Sequence, residues 1–570
     1  MDVGPRGAPH RGAAGRDRVK RAAALYVFLT LLVWGLFAFD RGLFHDDAAH
    51  LMWVSQHVGA PLRGLFAPLV SPTRRLLAAP YIAAWASPAP AAVLQAFLGA
   101  AWLATGFAVR ALVRRAGGSA GAALVAGALA LTATGDLLTN SSLALGYVVS
   151  ALAFVAALAA ALRFQATGRP APLVLAVLLV NVSLFTTDGA APAAALAPLF
   201  FLASRGRADR AWFRVSAAWS LALVPYGILL IRFLTDPTGY AAAALVARPP
   251  LVRARLFAAL FAHDFMPWRW AFRTPVWIER LPAILPVWLT AACALAGAAA
   301  FVAVARAGGA ATGSPVPDED RLRERRVAAA LVLLILATHA AFSGVQVAEV
   351  RFRTQLLTRL FASMLIALAA EAAARRLRAP RLALALPALF VGLGVAGGLE
   401  RQDTYLATWR RQRAELASIL EATPALDPKA TLVLSLVPDP GGFQATRVPY
   451  LASAWMVLLR DDPSVAGRTV VALPGWGSDC RPVAAGLSCT GGPGPGLHEW
   501  DRLVVLRFDP TSFQYRLVRE FPESAGAYRP SALIRPAPLS VRARSLLVRP
   551  RLLARLLPGA GASDAMLTAP

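Results

Sequence analysis

Residues 20–50 read KRAAALYVFLTLLVWGLFAFDRGLFHDDAAH, a basic flank followed by an apolar run from Ala22 to Phe39 and then the acidic, His-flanked segment Phe44-His45-Asp46-Asp47-Ala48-Ala49-His50. The run is long enough to cross a hydrocarbon core about 30 Å thick as a helix. It lacks a small-x-small cleavage site after Phe39, so it reads as a retained anchor and not as a cleaved signal peptide. The rest of the 570-residue chain repeats the pattern: 57% of its residues are hydrophobic, only 16% are charged, and ten further apolar stretches lie near 91–112, 121–138, 143–162, 171–187, 190–204, 214–234, 281–305, 327–343, 355–374 and 382–398. These runs predict a mainly α, polytopic transmembrane helical bundle of about 11 helices. Residues 76–90 are apolar too, but Pro80, Pro88 and Pro90 favour a re-entrant or interfacial segment there.

A net charge of +26 raises the question of nucleic acid. The arrangement answers it: the basic residues sit in short groups between apolar runs, which is a topology signal and not a continuous phosphate-tracking surface. Nearly all are Arg, with Lys only at Lys20 and Lys429, in keeping with an Ala/Arg/Gly/Pro-rich, GC-rich bacterial coding bias. No nucleic-acid partner is expected; the lipid bilayer is.

The Arg groups also predict orientation. Residues 1–21 form a basic, cytoplasmic N-terminus, and the same side takes Arg114 and Arg115, Arg163 and Arg169, Arg205 to Arg214, Arg321 to Arg326, and Arg375 to Arg381. The short loops of opposite parity, near Asp136 to Ser142 and Asp188 to Ala191, contain no Arg. Residues 22–399 then form the transmembrane domain, with outer loops at 40–90 and 235–280, and residues 400–570 lie on the extracytoplasmic face of the inner (cytoplasmic) membrane.

The C-terminal region opens with a polar helical stretch from Glu400 to Glu421 and then changes period. Strands are expected at Thr431–Val437, Thr469–Leu473 and Leu503–Phe508, with a helix at Tyr450–Leu459, which makes a small α/β domain. It carries no phosphate loop, zinc-ligand spacing or nucleophile elbow. Cys480 and Cys489 fall in its Gly/Pro-rich stretch, where an oxidising compartment would let them pair; two free thiols are the competing reading. Cys293 lies within an apolar run as a small buried residue.

The chemistry concentrates in the first outer loop. Asp46 and Asp47 follow the first helix closely, and the residues after them read as a short amphipathic helix lying along the interface. On it His50 stands three residues from Asp47 and four from Asp46, so all three can face one cleft. The plainer reading of either Asp is a helix N-cap.

Paired acids in an early outer loop, an amphipathic helix after them and a later basic-Pro region resemble the GT-C superfamily of membrane glycosyltransferases, which includes the protein O-mannosyltransferases. Asp46 and Asp47 match that family's Asp-Asp or Asp-Glu pair. Pro68 to Pro80, with the apolar helix ending in Arg114 and Arg115, is similar in layout, and Phe185-Thr186-Thr187-Asp188-Gly189-Ala190-Ala191-Pro192 resembles its acidic-then-Pro step. Many relatives carry Glu where this chain has Asp47, which leaves open which acid is catalytic. The resemblance implies a polyprenyl-phosphate-linked sugar as donor, an acceptor hydroxyl of unspecified origin (protein, glycan or lipid), and Asp46 or Asp47 as general base in an inverting transfer.

A donor phosphate needs cations on a face otherwise poor in them. Arg351 and Arg353, in the outer loop Glu349-Val350-Arg351-Phe352-Arg353, are the candidates, because the guanidinium fork bonds two phosphate oxygens at once. An interfacial anchor, or an ion pair with Glu349, is the alternative. His50, Asp136 and Asp188 are auxiliary candidates at the same surface. No cofactor is demanded by the pattern; a divalent cation is the one that His45, Asp46, Asp47 and His50, or a second acid, would allow. His263 and Asp264 stand in the 235–280 loop among Trp268, Trp270 and Trp277, most simply an interfacial belt. A lipid or polysaccharide transporter, and a non-catalytic envelope assembly protein, are the competing functional classes.

Overall fold

The fold was analysed in a computed structural model that describes residues 10–43, 46–57, 76, 78–133, 144–235, 249–267, 270, 285–307, 318–343, 356–377, 382–436, 449–472, 479–490 and 495–547. Each of the eleven expected apolar runs falls on a helix: α1 (His10–Thr30), α4 (Pro90–Arg115), α5 (Ala120–Thr132), α6 (Leu145–Thr167), α7 (Pro170–Thr186), α8 (Ala191–Arg205), α9 (Arg210–Thr235), α11 (Val287–Ala307), α12 (Asp318–Ser343), α13 (Leu356–Leu377) and α14 (Leu382–Ala422). Between them stand α2 (Asp46–Ser55), α3 (Ala79–Trp85) and α10 (Pro250–Phe265). Among the described residues seven helices are long and apolar enough to cross a membrane, or eight if α7 and α8, which turn through 117° at Asp188, count as one broken span. The chain is a multi-pass membrane protein.

The bundle is stitched by small residues and by polar groups that satisfy the backbone where helices break. The upper end of α1 widens into a π-turn over Leu31–Gly35, which leaves carbonyls without their usual partners. Gln402 of α14 fills the gap: its amide donates to the Leu32 and Val33 carbonyls at 2.9 and 2.8 Å, and its Oε1 accepts from the Phe37 amide at 3.3 Å. Arg41 caps the same turn, donating to the carbonyls of Phe37 and Trp34. Next to it the backbone of Gly42 lies so close to the Trp409 ring that a Cβ would stand 2.2 Å from it. Only Gly fits there, and the approach fixes the chain leading into α2.

One feature departs from the expected layout. The apolar run near 382–398 and the polar stretch from Glu400 are a single 41-residue helix, α14, roughly 60 Å long at the α-helical rise. It is longer than a bilayer is thick and carries the bundle directly into the C-terminal region. There β2 (Thr431–Ser435), α15 (Pro449–Arg460) and β3 (Thr469–Ala472) make a β-α-β unit, with β2 and β3 parallel. β7 (Leu503–Asp509) pairs parallel on the other side of β2 and antiparallel with β8 (Gln514–Leu517), giving the order β3-β2-β7-β8. Leu432, Val433 and Leu434 are fully buried, as a central parallel strand covered on both faces requires. A second sheet is built from β4 (Asp479–Val483), β5 (Gly486–Thr490) and β6 (Gly496–Glu499). A two-residue pair closes the region: β1 (Ala425–Leu426) with β9 (Ile534–Arg535). Cys480 and Cys489 face each other across β4 and β5 and form a disulfide. Cys293 remains a free thiol within α11.

The C-terminal region returns to the bundle at two places. α15 lies against α2, and the short α16 (Val541–Leu547) packs on α15, α14 and α4. α15 is apolar on nearly every side, with Ala452, Ala454, Trp455, Met456 and Leu458 all at 1% exposure or less, because the sheet covers one face and α2 the other.

Candidate active site

Asp46 and Asp47 open α2 as the sequence predicts, but the helix does not lie along an open interface. Ala48, Leu51 and Val54 are buried, with α3 on one side and α15 on the other. The amphipathic pattern that reads as a lipid-facing stripe is instead a stripe facing protein. Asp47 is on the buried side with no exposed surface. The hydroxyl of Tyr81, itself buried, donates to its Oδ1 at 2.8 Å. His50, one turn further on, packs its ring edge-on against Tyr81 at 4.7 Å between centroids. The i, i+3 spacing therefore brings Asp47 and His50 to one aromatic group, and a buried carboxylate receives the donor that its burial demands. The side chain of Asp46 lies outside the described residues, as do His45, Asp136, Arg351 and Arg353.

Asp188 stands at the turn between α7 and α8 and is half-buried. Its Oδ1 accepts from the Tyr226 hydroxyl of α9 at 3.1 Å, so each of the two described acids is held by a tyrosine. The two lie at the same end of the bundle. The Leu76 amide, just before α3, donates to the Phe185 carbonyl at 2.9 Å, just before Asp188.

Arg41 is a buried cation five residues before the acid pair. Burial pulls its guanidinium down to about 10, against the opposing pull of Tyr405 and of Asp40. Because its donors already serve the Phe37 and Trp34 carbonyls, its place is structural.

Sequence reasoning missed a second polar centre at this end. Asp264, at the close of α10, accepts from His339 of α12 at 2.9 Å and pairs with the Arg359 guanidinium of α13 at 3.4 Å. Arg359 also touches the His263 ring, 2.8 Å from Nε2, and donates to the Ala133 carbonyl beyond the end of α5 at 3.4 Å. All four side chains are at 2% exposure or less. Trp270 is thus not part of an interfacial belt: α10 dips into the bundle, and Trp270 is buried and donates to the Asp264 carbonyl, while Trp268 and Trp277 lie outside the described residues. The signal was available, since His339 and Arg359 interrupt apolar runs, and an ionisable residue inside a membrane segment is expensive unless it is paired and used. Among the described residues no group of three or more His, Cys, Asp or Glu is arranged to hold a metal ion.

No family model matches the chain, and no curated protein matches it. Among solved structures, the chain is similar to the crystal structure of ArnT from Cupriavidus metallidurans bound to undecaprenyl phosphate, with 16% identity over 79% of this chain and 89% of that one and a TM-score of 0.39. The same protein in the apo state gives 15% identity over 81% and 86%, again with a TM-score of 0.39.

Proposed function

We propose that the chain is a membrane glycosyltransferase that moves a sugar from a polyprenyl-phosphate carrier to an acceptor hydroxyl on the outer face of the cytoplasmic membrane. The observation that carries the reading is the placement of the acid pair. Asp46 and Asp47 begin a helix clamped between the membrane bundle and the C-terminal region, at the end of the bundle that the positive-inside pattern assigns to the exterior. An N-terminus inside and a C-terminal region outside agree with the Cys480–Cys489 disulfide, which suits an oxidising compartment.

In the transfer, the acceptor oxygen bonds to the anomeric carbon as the bond from that carbon to the phosphate oxygen breaks. The hydroxyl proton passes to an Asp carboxylate, and the bonding pair leaves on the lipid phosphate; in-line attack inverts the centre. A positioned base of this kind contributes about 10² to 10⁴ in rate. Asp47 is closed beneath Tyr81, so either Asp46 takes the proton while Asp47 fixes the helix, or α2 is uncovered when substrate binds. Arg351 and Arg353 are the proposed partners of the donor phosphate. Asp188 and His50 are auxiliary, and the sugar and acceptor classes stay as broad as the chemistry.

A transporter would hold its ionisable groups near the membrane midplane. His339 is four residues from the end of α12, and Arg359 three from the start of α13, which is about 6 Å or less from a helix end. That placement favours a surface reaction. The test uses membranes bearing the full chain and a pool of radiolabelled polyprenyl-phosphate sugars, with release of polyprenyl phosphate as the readout. Loss of release in Asp46→Asn or Asp47→Asn at normal membrane abundance supports the reading, and undiminished release in both overturns it.

A further inference from the structure

We propose that Arg542, in the C-terminal α16, is a positioning residue for Asp47, acting through Trp85 and the helix that carries Tyr81; the inference rests on the acid pair being the working site. Arg542 makes three contacts at once. Its guanidinium carbon lies 3.6 Å from the centroid of the Trp85 ring, its Nη2 donates to the Trp85 carbonyl at 3.2 Å, and its Nη1 donates to Asp461 at 2.8 Å. Trp85 and Tyr81 are one helical turn apart on α3, so whatever holds Trp85 sets the height and rotation of the Tyr81 hydroxyl. That hydroxyl holds Asp47.

The circuit closes on its other side. Asp461 follows the last residue of α15 and has a backbone φ of +54°, a left-handed conformation that Gly would adopt more cheaply. Here an Asp is used, and its carboxylate meets Arg542. α16 is tied to the same end of α15 a second time, because Ser540 Oγ caps the Ala543 amide at 3.0 Å and donates to the Leu459 carbonyl at 3.1 Å. α15 in turn covers α2, the helix of Asp47. Arg542 therefore joins the two helices that wall in α2, and its side chain is only 14% exposed. A guanidinium suits this place because one flat group stacks on an indole and forks to a carbonyl and a carboxylate together. Lysine offers the charge without the plane.

The experiment uses the full chain in lipid nanodiscs and reads position directly, with no need for sugar transfer. Amide hydrogen exchange is followed over 46–55 and 79–86, with 120–132 as an internal reference. Carbodiimide-driven coupling of glycine ethyl ester to Asp47 is quantified by mass spectrometry, with Asp501 as the exposed control. In Arg542→Gln, exchange in α2 and α3 and labelling of Asp47 should rise on the order of tenfold with α5 unchanged, the scale expected for loss of a partly buried cation–aromatic contact. Arg542→Lys should fall between Gln and wild type. Asp461→Asn, which leaves the stack and weakens one contact by removing the carboxylate charge, gives a smaller rise in the same segments and serves if Arg542→Gln does not accumulate. Faster exchange confined to 541–547 and 449–460, with Asp47 labelling at the wild-type level, overturns the proposal and leaves Arg542 as an anchor for α16 alone. A chain that transfers no sugar but shows the tenfold rise would sink the transferase reading while upholding the link from Arg542 to Asp47.

Discussion

The Tyr81 hydroxyl and the Asp47 carboxylate, 34 residues apart in sequence, meet at 2.8 Å in a fully buried contact. It is the seam along which the first outer loop is folded, since Asp47 belongs to α2 and Tyr81 to α3. The proline-marked stretch 76–90 thereby acquires its use: Pro80 sits at the start of α3, where its missing amide costs nothing, and the short helix carries Tyr81 and Trp85 one turn apart on a shared face.

Tyr81→Phe removes the donor and leaves a buried carboxylate with one partner fewer. An under-satisfied buried acceptor costs about 1–3 kcal/mol, so the full chain in detergent should melt several degrees lower, and any transfer should fall with it. An unchanged melting midpoint would mean that the hydroxyl contributes nothing to holding Asp47.

Asp46→Asn and Asp47→Asn should separate the two roles of the pair. If Asp46 takes the proton, its Asn variant loses about 10² to 10⁴ in transfer rate with the melting midpoint unmoved. Asp47→Asn should lower stability and transfer together, because the Tyr81 bond is weakened from charge-assisted to neutral. Transfer lost only in Asp47→Asn, at wild-type stability, would assign the proton to Asp47 and require α2 to be uncovered during turnover.

Asp209 gives a pH prediction on the opposite face. It accepts from the Trp212 amide at 2.9 Å at the start of α9 and pairs with Arg205 at 2.8 Å. The amide bond first, then Arg205, hold its carboxyl at about 2, below the ordinary 3.8. Because the folded value is the lower one, its stabilising contribution is complete above pH 4 and is lost as pH falls from about 4 towards 2. Asp209→Asn should lower stability in the neutral region and converge with wild type as pH falls towards 2, which flattens the acid limb of the stability curve in that window. A parallel downward shift at every pH would place the effect in packing.

The Cys480–Cys489 bridge closes a short hairpin between β4 and β5. Loops of this size give about 2–3 kcal/mol in the chain-entropy view. Cys480→Ser with Cys489→Ser should therefore destabilise the β4-β5-β6 sheet locally, seen as faster exchange over 479–499, with the α5 reference unchanged. Finding both thiols free by non-reducing mass spectrometry of the native chain would remove the bridge and its support for an external C-terminal region.

What the sequence revealed and what it withheld divide along the range of the interactions. Hydropathy is additive along the chain, so the eleven apolar runs fell on helices, and the strands at Thr431, Thr469 and Leu503 were readable from their Val/Leu-rich runs. The domain boundary expected at Leu399 does not interrupt the helix, because it continues as polar residues that are buried against the bundle: Gln402 serves α1 and Asp403 accepts from the Leu285 amide. Polarity alone cannot distinguish solvent from a polar protein neighbour. The Asp47–His50 spacing was legible since it is local. Tyr81, Trp85 and Arg542 were not, as nothing in a single sequence says that residue 542 stacks on residue 85. Arg359 and His339 are legible in principle, as ionisable residues that interrupt apolar runs.

The Arg359–Asp264 pair supplies the strongest stability prediction and also decides what the centre is for. Arg359→Met leaves Asp264 with His339 but without its guanidinium, and Asp264→Leu leaves Arg359 buried beside His263. Stranding one charge of a buried pair costs about 3–5 kcal/mol, whereas replacing both partners by apolar groups of similar size is often neutral. Each single variant should thus accumulate poorly and unfold early in a detergent titration, and the double variant should recover most of the loss. A purely structural centre predicts that the rescued double variant behaves as wild type in the polyprenyl-phosphate release assay. A double variant that is stable yet inactive would instead make these buried charges part of the working site, shared between α10, α12 and α13 at the same end of the bundle as Asp47.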